Sequence, residues 1–192
     1  MHGFIGKGTD KVFLRYALIS PPAGKEGGVI ENKKKVYVET SVISNLTARP
    51  SHNPIDVAAQ IATAQWWCDA PSRFELFVSS LVLEEVSRGD AVAAAKRIDV
   101  VQELQSLNID ERCTVLAEKL LEATAVPCTS LDDATHIATA AINGMDYLVT
   151  WNCSHIANAQ TRPLIRKVLA EAGNFEMEIC TPLEMMGGNN GN

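Results

Sequence analysis

Short β-branched runs that alternate with long helical stretches constrain the fold of this chain more than any other feature. The β-branched runs lie at 35–40, 74–79, 146–151 and 176–180. Helical stretches rich in alanine and leucine lie at about 55–70, 80–106, 111–125, 131–144 and 162–172. Strands that are separated by helices pair in parallel, because the helix carries the chain back to the edge of the sheet where the strand began. The pattern therefore predicts an α/β fold with a parallel sheet covered by helices on both faces.

Length and composition indicate one globular domain with appended termini. The chain has 192 residues, of which 46% are hydrophobic and 21% charged, and this is enough for one core but short for two. We expect an N-terminal arm over 1–34, to which the sequence assigns no role, and a domain over 35–184. Residues 185–192 have little to bury and should be a disordered tail.

Cysteine usage, hydropathy and charge narrow the class of protein. Five cysteines without CxxC spacing are scattered through predicted helices and strands, which indicates reduced thiols in a cytoplasmic protein. The apolar run 12–19 is interrupted by Arg15 and is far shorter than the roughly 20 residues that span a bilayer, so we expect no membrane anchor. A formal net charge of −6 argues against binding of nucleic acid by bulk electrostatics. A polyanionic substrate would therefore need local positive charge.

A carboxylate stands at the end of the first predicted strand. Glu39 follows the apolar run 36–38 and precedes Thr40 and Ser41, either of which can cap a short helix over 42–46. Ligands in open α/β sheets bind outside the carboxyl ends of the strands, which favours a functional Glu39. A solvated carboxylate at a strand end is the alternative.

Two adjacent glutamates follow the second predicted strand, and the helical wheel distinguishes them. Glu84 lies four residues before Arg88, which is the spacing of an exposed ion pair. Glu85 follows Leu81 by four residues and Val82 by three, so it lies on the apolar flank of the helix. A carboxylate drawn toward the core needs a partner such as a metal ion, and Glu85 is therefore the candidate for the site.

Two adjacent aspartates open the helix at 131–144, and capping competes with function there. Ser130 with Asp133 three residues later has the spacing of a capping box, and either aspartate would favour the helix N-terminus electrostatically. Asp133 shares a flank with Ile137, whereas Asp132 turns toward His136 and away from the apolar stripe. We assign Asp133 to the site and Asp132 to the cap.

An amide ends the third predicted strand. Asn152 follows the run 147–151 and can form a hydrogen bond to water or phosphate, or simply form an Asx-turn. A single histidine on a helix, such as His136, is more often a packing or hydrogen-bonding residue than a ligand. His155 is secondary for the site, and no zinc site is predicted because Cys153 and His155 lack a second ligand pair.

Motifs for other chemistries are missing from the sequence. It contains no Gly-rich phosphate loop, no GxSxG elbow and no HExxH pair, so it does not support a nucleotide hydrolase, a serine hydrolase or a zincin. The remaining candidates are oxygen ligands suited to Mg²⁺ or Mn²⁺.

Four segments resemble the acidic motifs of PIN-domain nucleases, particularly the VapC-like toxins of bacterial toxin-antitoxin pairs. The segments are Val36–Ser44, Ser79–Glu85, Asp133–Ala138 and Leu148–Asn158. The resemblance runs from about Lys35 to Leu183 and agrees in order, spacing and strand or helix context. The sequence departs from the usual pattern at Glu39, where aspartate is common, and at Asn152, where a fourth aspartate often stands.

The resemblance implies a three-layer α/β/α sandwich around a mostly parallel sheet, and a metal-dependent endoribonuclease that hydrolyses RNA. It also implies a homodimer and inhibition by a cognate antitoxin protein. In this interpretation Glu39, Glu85 and Asp133 bind Mg²⁺ or Mn²⁺, and Asn152 joins them as the fourth catalytic residue. The candidate substrate contacts are Thr40, Ser41, His155, Arg162 and Arg166, with Lys167 beside them on the last helix.

Two alternatives of other classes remain. The changes at Glu39 and Asn152 are compatible with a non-catalytic PIN-like module that binds RNA or protein, although intact Glu85 and Asp133 argue against it. A phosphoacceptor or small-molecule domain of flavodoxin type also gathers acids at strand ends, but it predicts a lysine at a late strand end. The segment 150–152 has no such lysine.

Overall fold

The fold is a five-stranded, all-parallel sheet between two groups of helices. The computed structural model describes residues 33–173 and 175–186, so the predicted arm and tail lie almost entirely outside the described residues. Within these residues the strands are β1 Lys34–Val38, β2 Phe74–Ser79, β3 Gln105–Leu107, β4 Tyr147–Val149 and β5 Glu178–Cys180. Their order across the sheet is β3-β2-β1-β4-β5, and every neighbouring pair is parallel. The predicted α/β/α sandwich is confirmed.

Eight helices flank the sheet in the described part of the chain. They are α1 Thr40–Thr47, α2 Pro54–Arg73, α3 Ser80–Ser87, α4 Ala91–Val101, α5 Glu111–Glu122, α6 Leu131–Ile142, α7 Arg162–Gly173 and α8 Pro182–Met185. Helix α5 contacts α6 and α7, while α1 contacts α2, α3 and α4, and α2 contacts α8. Among the described helices, none combines the length and the apolar character needed to cross a membrane.

The core centres on β1 because this strand has neighbours on both sides. Val36, Tyr37 and Val38 are fully buried, and Leu148 and Val149 of the adjacent β4 are buried with them. Burial of each such aliphatic side chain stabilises the fold by roughly 1.5–3 kcal/mol. The continuous apolar run predicted at 36–38 is thus the signature of a strand covered on both faces.

The single helix predicted over 80–106 is wrong, because the segment forms two helices and a strand. Gly89 has a φ of +88°, a left-handed conformation that stops the first helix. The Asp90 side chain then accepts a hydrogen bond of 3.0 Å from the backbone N–H of Ala93 and starts the next helix. Strand β3 follows α4 and pairs with β2, with Gln105 opposite Phe77.

The other predicted elements occur with shifted ends. Helix α5 stops at Glu122, before Thr124 with its φ of 54°, and α6 stops at Ile142, before Gly144 with its φ of 68°. Left-handed residues of this kind close helices because they direct the chain away from the helix axis. Helix α2 continues through Pro71 to its end at Arg73, beyond the predicted stop at 70.

The strand order places a crevice beside β1. The chain proceeds from β1 outward to β2 and β3, and then returns to the other side of β1 with β4 and β5. Such a change of direction opens the sheet at the carboxyl ends of the two strands involved, which are β1 and β4. Glu39 directly follows β1, and Asn152 comes three residues after the end of β4.

Candidate metal centre

Glu39 is held at the carboxyl end of β1 by its backbone and its side chain. Its N–H donates to the carbonyl of Val149 on β4 over 3.1 Å, and the residue is only 6% exposed. The Thr150 hydroxyl donates to Glu39 Oε2 over 2.6 Å, and the Ser41 hydroxyl donates to the same oxygen. A buried carboxylate is retained only with such partners, because desolvation otherwise disfavours its charge.

The predicted cap of α1 by Thr40 or Ser41 is wrong. Glu39 is itself the N-cap residue of α1, without a side-chain capping bond. The Ser41 hydroxyl instead joins two strand ends, since it accepts from the backbone N–H of Trp151 over 2.8 Å while it donates to Glu39. Carboxylate orientation thus takes precedence over helix capping at this position.

Glu85 and Glu84 occupy the two environments that the helical wheel predicts. Glu84 forms an exposed ion pair with Arg88 over 2.6 Å, whereas the Glu85 side chain is 19% exposed and faces the crevice. Two donors bond Glu85 Oε2, namely the hydroxyl of Thr40 and, over 3.1 Å, His136 Nε2. The hydroxyl predicted as a substrate contact at Thr40 therefore orients a carboxylate.

His136 is the functional candidate that sequence reasoning missed. The prediction placed it off the apolar stripe of α6, but the residue is 1% exposed. Its Nδ1 lies 2.8 Å from the Tyr37 hydroxyl and its Nε2 points at Glu85. A buried imidazole needs a partner at each nitrogen, and this one obtains them from β1 and α3.

The contacts between Glu85 and His136 shift the pKa of both groups. Burial alone would lower the pKa of His136, but the hydrogen bond to Glu85 and the nearby charge of Glu39 raise it above its ordinary value. Burial alone would raise the pKa of Glu85, but the hydrogen bonds from His136 and Thr40 lower it. Burial of the Tyr37 ring raises its pKa, so the phenol stays neutral.

Glu39, Glu85 and His136 together form a group that can hold a metal ion. One ligand atom from each residue lies within 4.8 Å of the other two. In residues 33–173 and 175–186, the hydrogen bonds to both glutamates go to Oε2, so Oε1 of each carboxylate is left for another partner. Carboxylate oxygens and an imidazole nitrogen are ligands that divalent cations bind.

Asp133 and Asn152 meet beside this group rather than in it. Asn152 Nδ2 donates to Asp133 Oδ1 over 2.8 Å, and His155 Nδ1 lies 2.7 Å from Asp133 Oδ2. Asn152 Oδ1 accepts from the backbone N–H of His155, three residues on, over 3.2 Å, and this is not the predicted Asx-turn, in which the N–H two residues on would donate. Asp133 lies one helical turn before His136, and its charge contributes to the raised pKa of that ring. Its direct ligation of a metal stays a prediction.

The alternative explanation of Asp133 as part of a capping box is wrong. Ser130 is the N-cap residue of α6 but makes no side-chain capping bond. Its hydroxyl lies 3.2 Å from His155 Nδ1 instead. Asp132 lies exposed in the first turn of α6, where its charge favours the helix N-terminus.

The predicted cationic substrate contacts are engaged with acids of the last strand and helix. Arg162 donates to the carbonyl of Ile179 over 3.0 Å and lies 3.4 Å from Glu184. Arg166 forms an ion pair of 2.7 Å with Glu178. Contact of either arginine with a substrate stays a prediction, and it would require exchange of these partners.

Comparison with known proteins identifies one family. The family model described as PIN domain matches residues 36–152. The match begins in β1 and ends at Asn152, so it contains Glu39, Glu85 and Asp133 as well as His136. No curated protein and no solved structure matches the chain.

Proposed function

This chain belongs to the PIN domain family, and from that premise we propose that it is a metal-dependent endoribonuclease that acts as the toxin of a toxin-antitoxin pair. Family membership and the group of acidic side chains support a metal-dependent nuclease. The further steps to RNA, to Mg²⁺ or Mn²⁺ and to a toxin rest on the resemblance of the four acidic segments to VapC-like proteins.

The observation that carries the proposal is the convergence of Glu39 and Glu85 at the carboxyl edge of the sheet. The two residues are 46 positions apart in the sequence, yet their ligand atoms lie within 4.8 Å of each other. Without a cation, a buried and a half-buried carboxylate at this distance repel each other. Hydroxyl donors hold one oxygen of each carboxylate in place, and the other oxygen of each is left for a cation.

In the proposed reaction the side chains of this protein hold the metal ion, keep one another oriented toward it and neutralise its positive charge. When bound, a divalent ion supplies positive charge against the phosphate and raises the acidity of a water molecule. Glu39 and Glu85 would hold that ion, and Asp133 adds a third negative charge beside them. Asn152 keeps Asp133 in place through the 2.8 Å hydrogen bond, and His155 presents its ring at the open edge of the site, where the side chain is 39% exposed.

The RNA substrate must approach a protein of net charge −6. Because bulk electrostatics oppose a polyanion, the positive charge has to be local. Arg162 and Arg166 on α7 are the proposed sources, and release from Glu184 and Glu178 would make them available. Binding of RNA should therefore weaken steeply with added salt if these arginines contact phosphates.

Exposed apolar side chains on α2 are consistent with a surface that binds other proteins. We propose that its partners are a second copy of this chain and an antitoxin. Ile55 is 77% exposed and Ile61 is 43% exposed, on a helix whose predicted apolar surface exceeds what one buried stripe needs. Light scattering at tens of micromolar tests the homodimer, and a monomer at that concentration would count against it. A small neighbouring gene that encodes a DNA-binding fold with a C-terminal tail would support the antitoxin.

Cleavage of RNA by matched variants tests the enzyme. Glu85→Gln and Asp133→Asn should abolish Mg²⁺- or Mn²⁺-dependent cleavage with folding intact, because each removes a negative charge from the site. Glu84→Gln is the matched control, since Glu84 is exposed and pairs with Arg88. Equal loss from Glu84→Gln would show that the assignment of the two glutamates is wrong.

A non-catalytic PIN-like module that binds RNA or protein is the second candidate function. The observation that favours this module is the amide of Asn152, which stands where a fourth carboxylate is expected. Its Nδ2 donates a hydrogen bond to Asp133 Oδ1. This module would bind RNA without cleaving it at any concentration of Mg²⁺ or Mn²⁺. Its RNA binding would also be indifferent to Glu85→Gln.

A further inference from the structure

The ring of His136 is set between a hydroxyl chain and the carboxylates. It is 1% exposed, with Nδ1 2.8 Å from the Tyr37 hydroxyl and Nε2 3.1 Å from Glu85 Oε2. On the far side of Tyr37, the Ser79 hydroxyl lies 2.7 Å from the phenol oxygen. The ring is packed in the core, and its Nε2 faces Glu85 at the crevice.

The hydrogen bonds that link Ser79, Tyr37 and His136 Nδ1 can run in either direction. Ser79 can donate to Tyr37 and Tyr37 to Nδ1, in which case Nε2 carries the hydrogen and donates to Glu85. In the reverse order Nδ1 donates to Tyr37 and Tyr37 donates to Ser79, and Nε2 then presents a lone pair. Either Tyr37 or Ser79 can be the donor in their shared bond, so Tyr37 keeps its hydrogen bonds to Ser79 and to Nδ1 in both arrangements, whereas Nε2 bonds Glu85 only in the first.

The reversed arrangement is the one a metal ion requires. A lone pair on Nε2 that faces Glu39 and Glu85 is unfavourable unless a cation lies between them. A metal-bound histidine usually donates its other ring N–H to a carboxylate, a backbone carbonyl or water, which fixes the tautomer and the orientation of the ring, and a hydroxyl oxygen can accept in the same way. Tyr37 and Ser79 provide this support from β1 and β2.

We propose that His136 is the third protein ligand of the metal, through Nε2, so that the centre consists of two carboxylates and one imidazole. This inference rests on the proposed metal site but not on its substrate. The predicted third ligand, Asp133, has hydrogen bonds on both of its oxygens, from Asn152 and from His155. His136 belongs to the group of three ligand atoms that lie within 4.8 Å of one another.

A nitrogen ligand changes which metal the site prefers. Mg²⁺ binds almost entirely through oxygen, keeps several waters and gains little from imidazole. First-row transition ions accept imidazole and bind a given nitrogen- and oxygen-containing site more tightly along the series from Mn²⁺ to Cu²⁺. The site should therefore bind Mn²⁺ more tightly than Mg²⁺, and His136→Gln should reduce that preference.

Pulsed electron paramagnetic resonance of bound Mn²⁺ detects a directly ligated nitrogen without any assay of activity. The untagged chain has four histidines, His2, His52, His136 and His155. The triple variant H2Q/H52Q/H155Q keeps His136 as its one histidine. Labelling with ¹⁵N-histidine then shows whether a nitrogen that couples to Mn²⁺ belongs to His136.

Each result decides the inference. Two results together support the ligand assignment. The triple variant shows coupling of Mn²⁺ to a histidine nitrogen, and His136→Gln loses this coupling while its Mn²⁺ dissociation constant increases by about 10-fold or more. Tyr37→Phe should also weaken Mn²⁺ binding by about 10-fold, because it removes the support of Nδ1. Bound Mn²⁺ without histidine coupling in the triple variant overturns the ligand assignment and leaves the proposed nuclease intact. Calorimetry that finds no binding of Mn²⁺ at all overturns the metal centre and this inference together.

Discussion

Replacement of Asn152 by aspartate tests the contact between Asn152 and Asp133 beside the metal site. Asn152 Nδ2 lies 2.8 Å from Asp133 Oδ1. In Asn152→Asp this hydrogen bond becomes a contact between two carboxylate oxygens. At an effective dielectric constant of about 20, two unit charges at that separation repel by about 6 kcal/mol. Rotation of the side chains to about 5 Å reduces this to about 3 kcal/mol, which is the loss we expect in the free energy of unfolding at pH 8 without metal.

Urea denaturation in the presence of a chelator measures this loss as a lower midpoint at constant slope. The difference from the natural protein should shrink as the pH falls, because two adjacent carboxylates raise each other's pKa and come to share a proton. Added Mn²⁺ should stabilise Asn152→Asp more than the natural protein, since the variant places a further negative charge beside the ion.

The matched control exchanges the two residues. In D133N/N152D the new amide at position 133 can donate to the new carboxylate at position 152, which reverses the original hydrogen bond, and it can still accept from His155. We expect this double variant to recover about 2 kcal/mol of the loss. Failure of the exchange to recover stability, or a change of less than about 0.5 kcal/mol in Asn152→Asp alone, would refute the contact between Asp133 and Asn152.

Three further perturbations test separate features of the structure. The metal-free protein should lose stability as the pH rises from 6 to 9 because the raised pKa of His136 stabilises the fold fully only below its ordinary value of 6.5. The lowered pKa of Glu85 stabilises the fold above its ordinary value of 4.5, so stability should also fall at lower pH. Urea melts over a series of pH values measure both effects, and His136→Gln should remove most of the loss of stability at alkaline pH. A thiol reagent at pH 8 should label three cysteines in the native protein and all five after unfolding, because Cys113 and Cys180 are buried. Burial also raises the pKa of Cys180 to about 12. Labelling of all five cysteines in the native state would contradict the packing. Gly89→Ala should cost about 1 kcal/mol in a thermal melt through its φ of +88° alone, because a Cβ there meets no atom within 4 Å.

The fold and part of the site follow from local patterns in the sequence. The run Val36–Val38 predicts a central strand because a strand covered on both faces needs continuous apolar residues, and Glu39 then falls at the edge where ligands bind. The choice of Glu85 over Glu84 needed only the helical wheel, because residues four apart share a face. The structure has Glu84 exposed with Arg88 and Glu85 turned toward the crevice.

The edge strand β3 was missed because its residues have no strand signal of their own. Gln105–Leu107 is short, lacks a β-branched residue and directly follows an alanine-rich helix. Its pairing with β2 depends on the shape of the sheet rather than on local preference. The break at Gly89 and Asp90 was visible in the sequence, since glycine followed by a capping residue is a stop and a start.

His136 was missed for a different reason, namely that the partners of its buried ring are distant in the sequence. Its contacts come from Tyr37, 99 positions away, and Glu85, 51 positions away, and periodicity along one helix carries no information about either. A signal existed in β1, where a tyrosine stands between two buried valines. Its hydroxyl must find a polar partner inside the core, because an unpaired buried hydroxyl costs roughly 1–3 kcal/mol. A helix that packs on that strand and carries one histidine three residues after an acid is the natural source of this partner, so the tyrosine in the strand points to the histidine in the site.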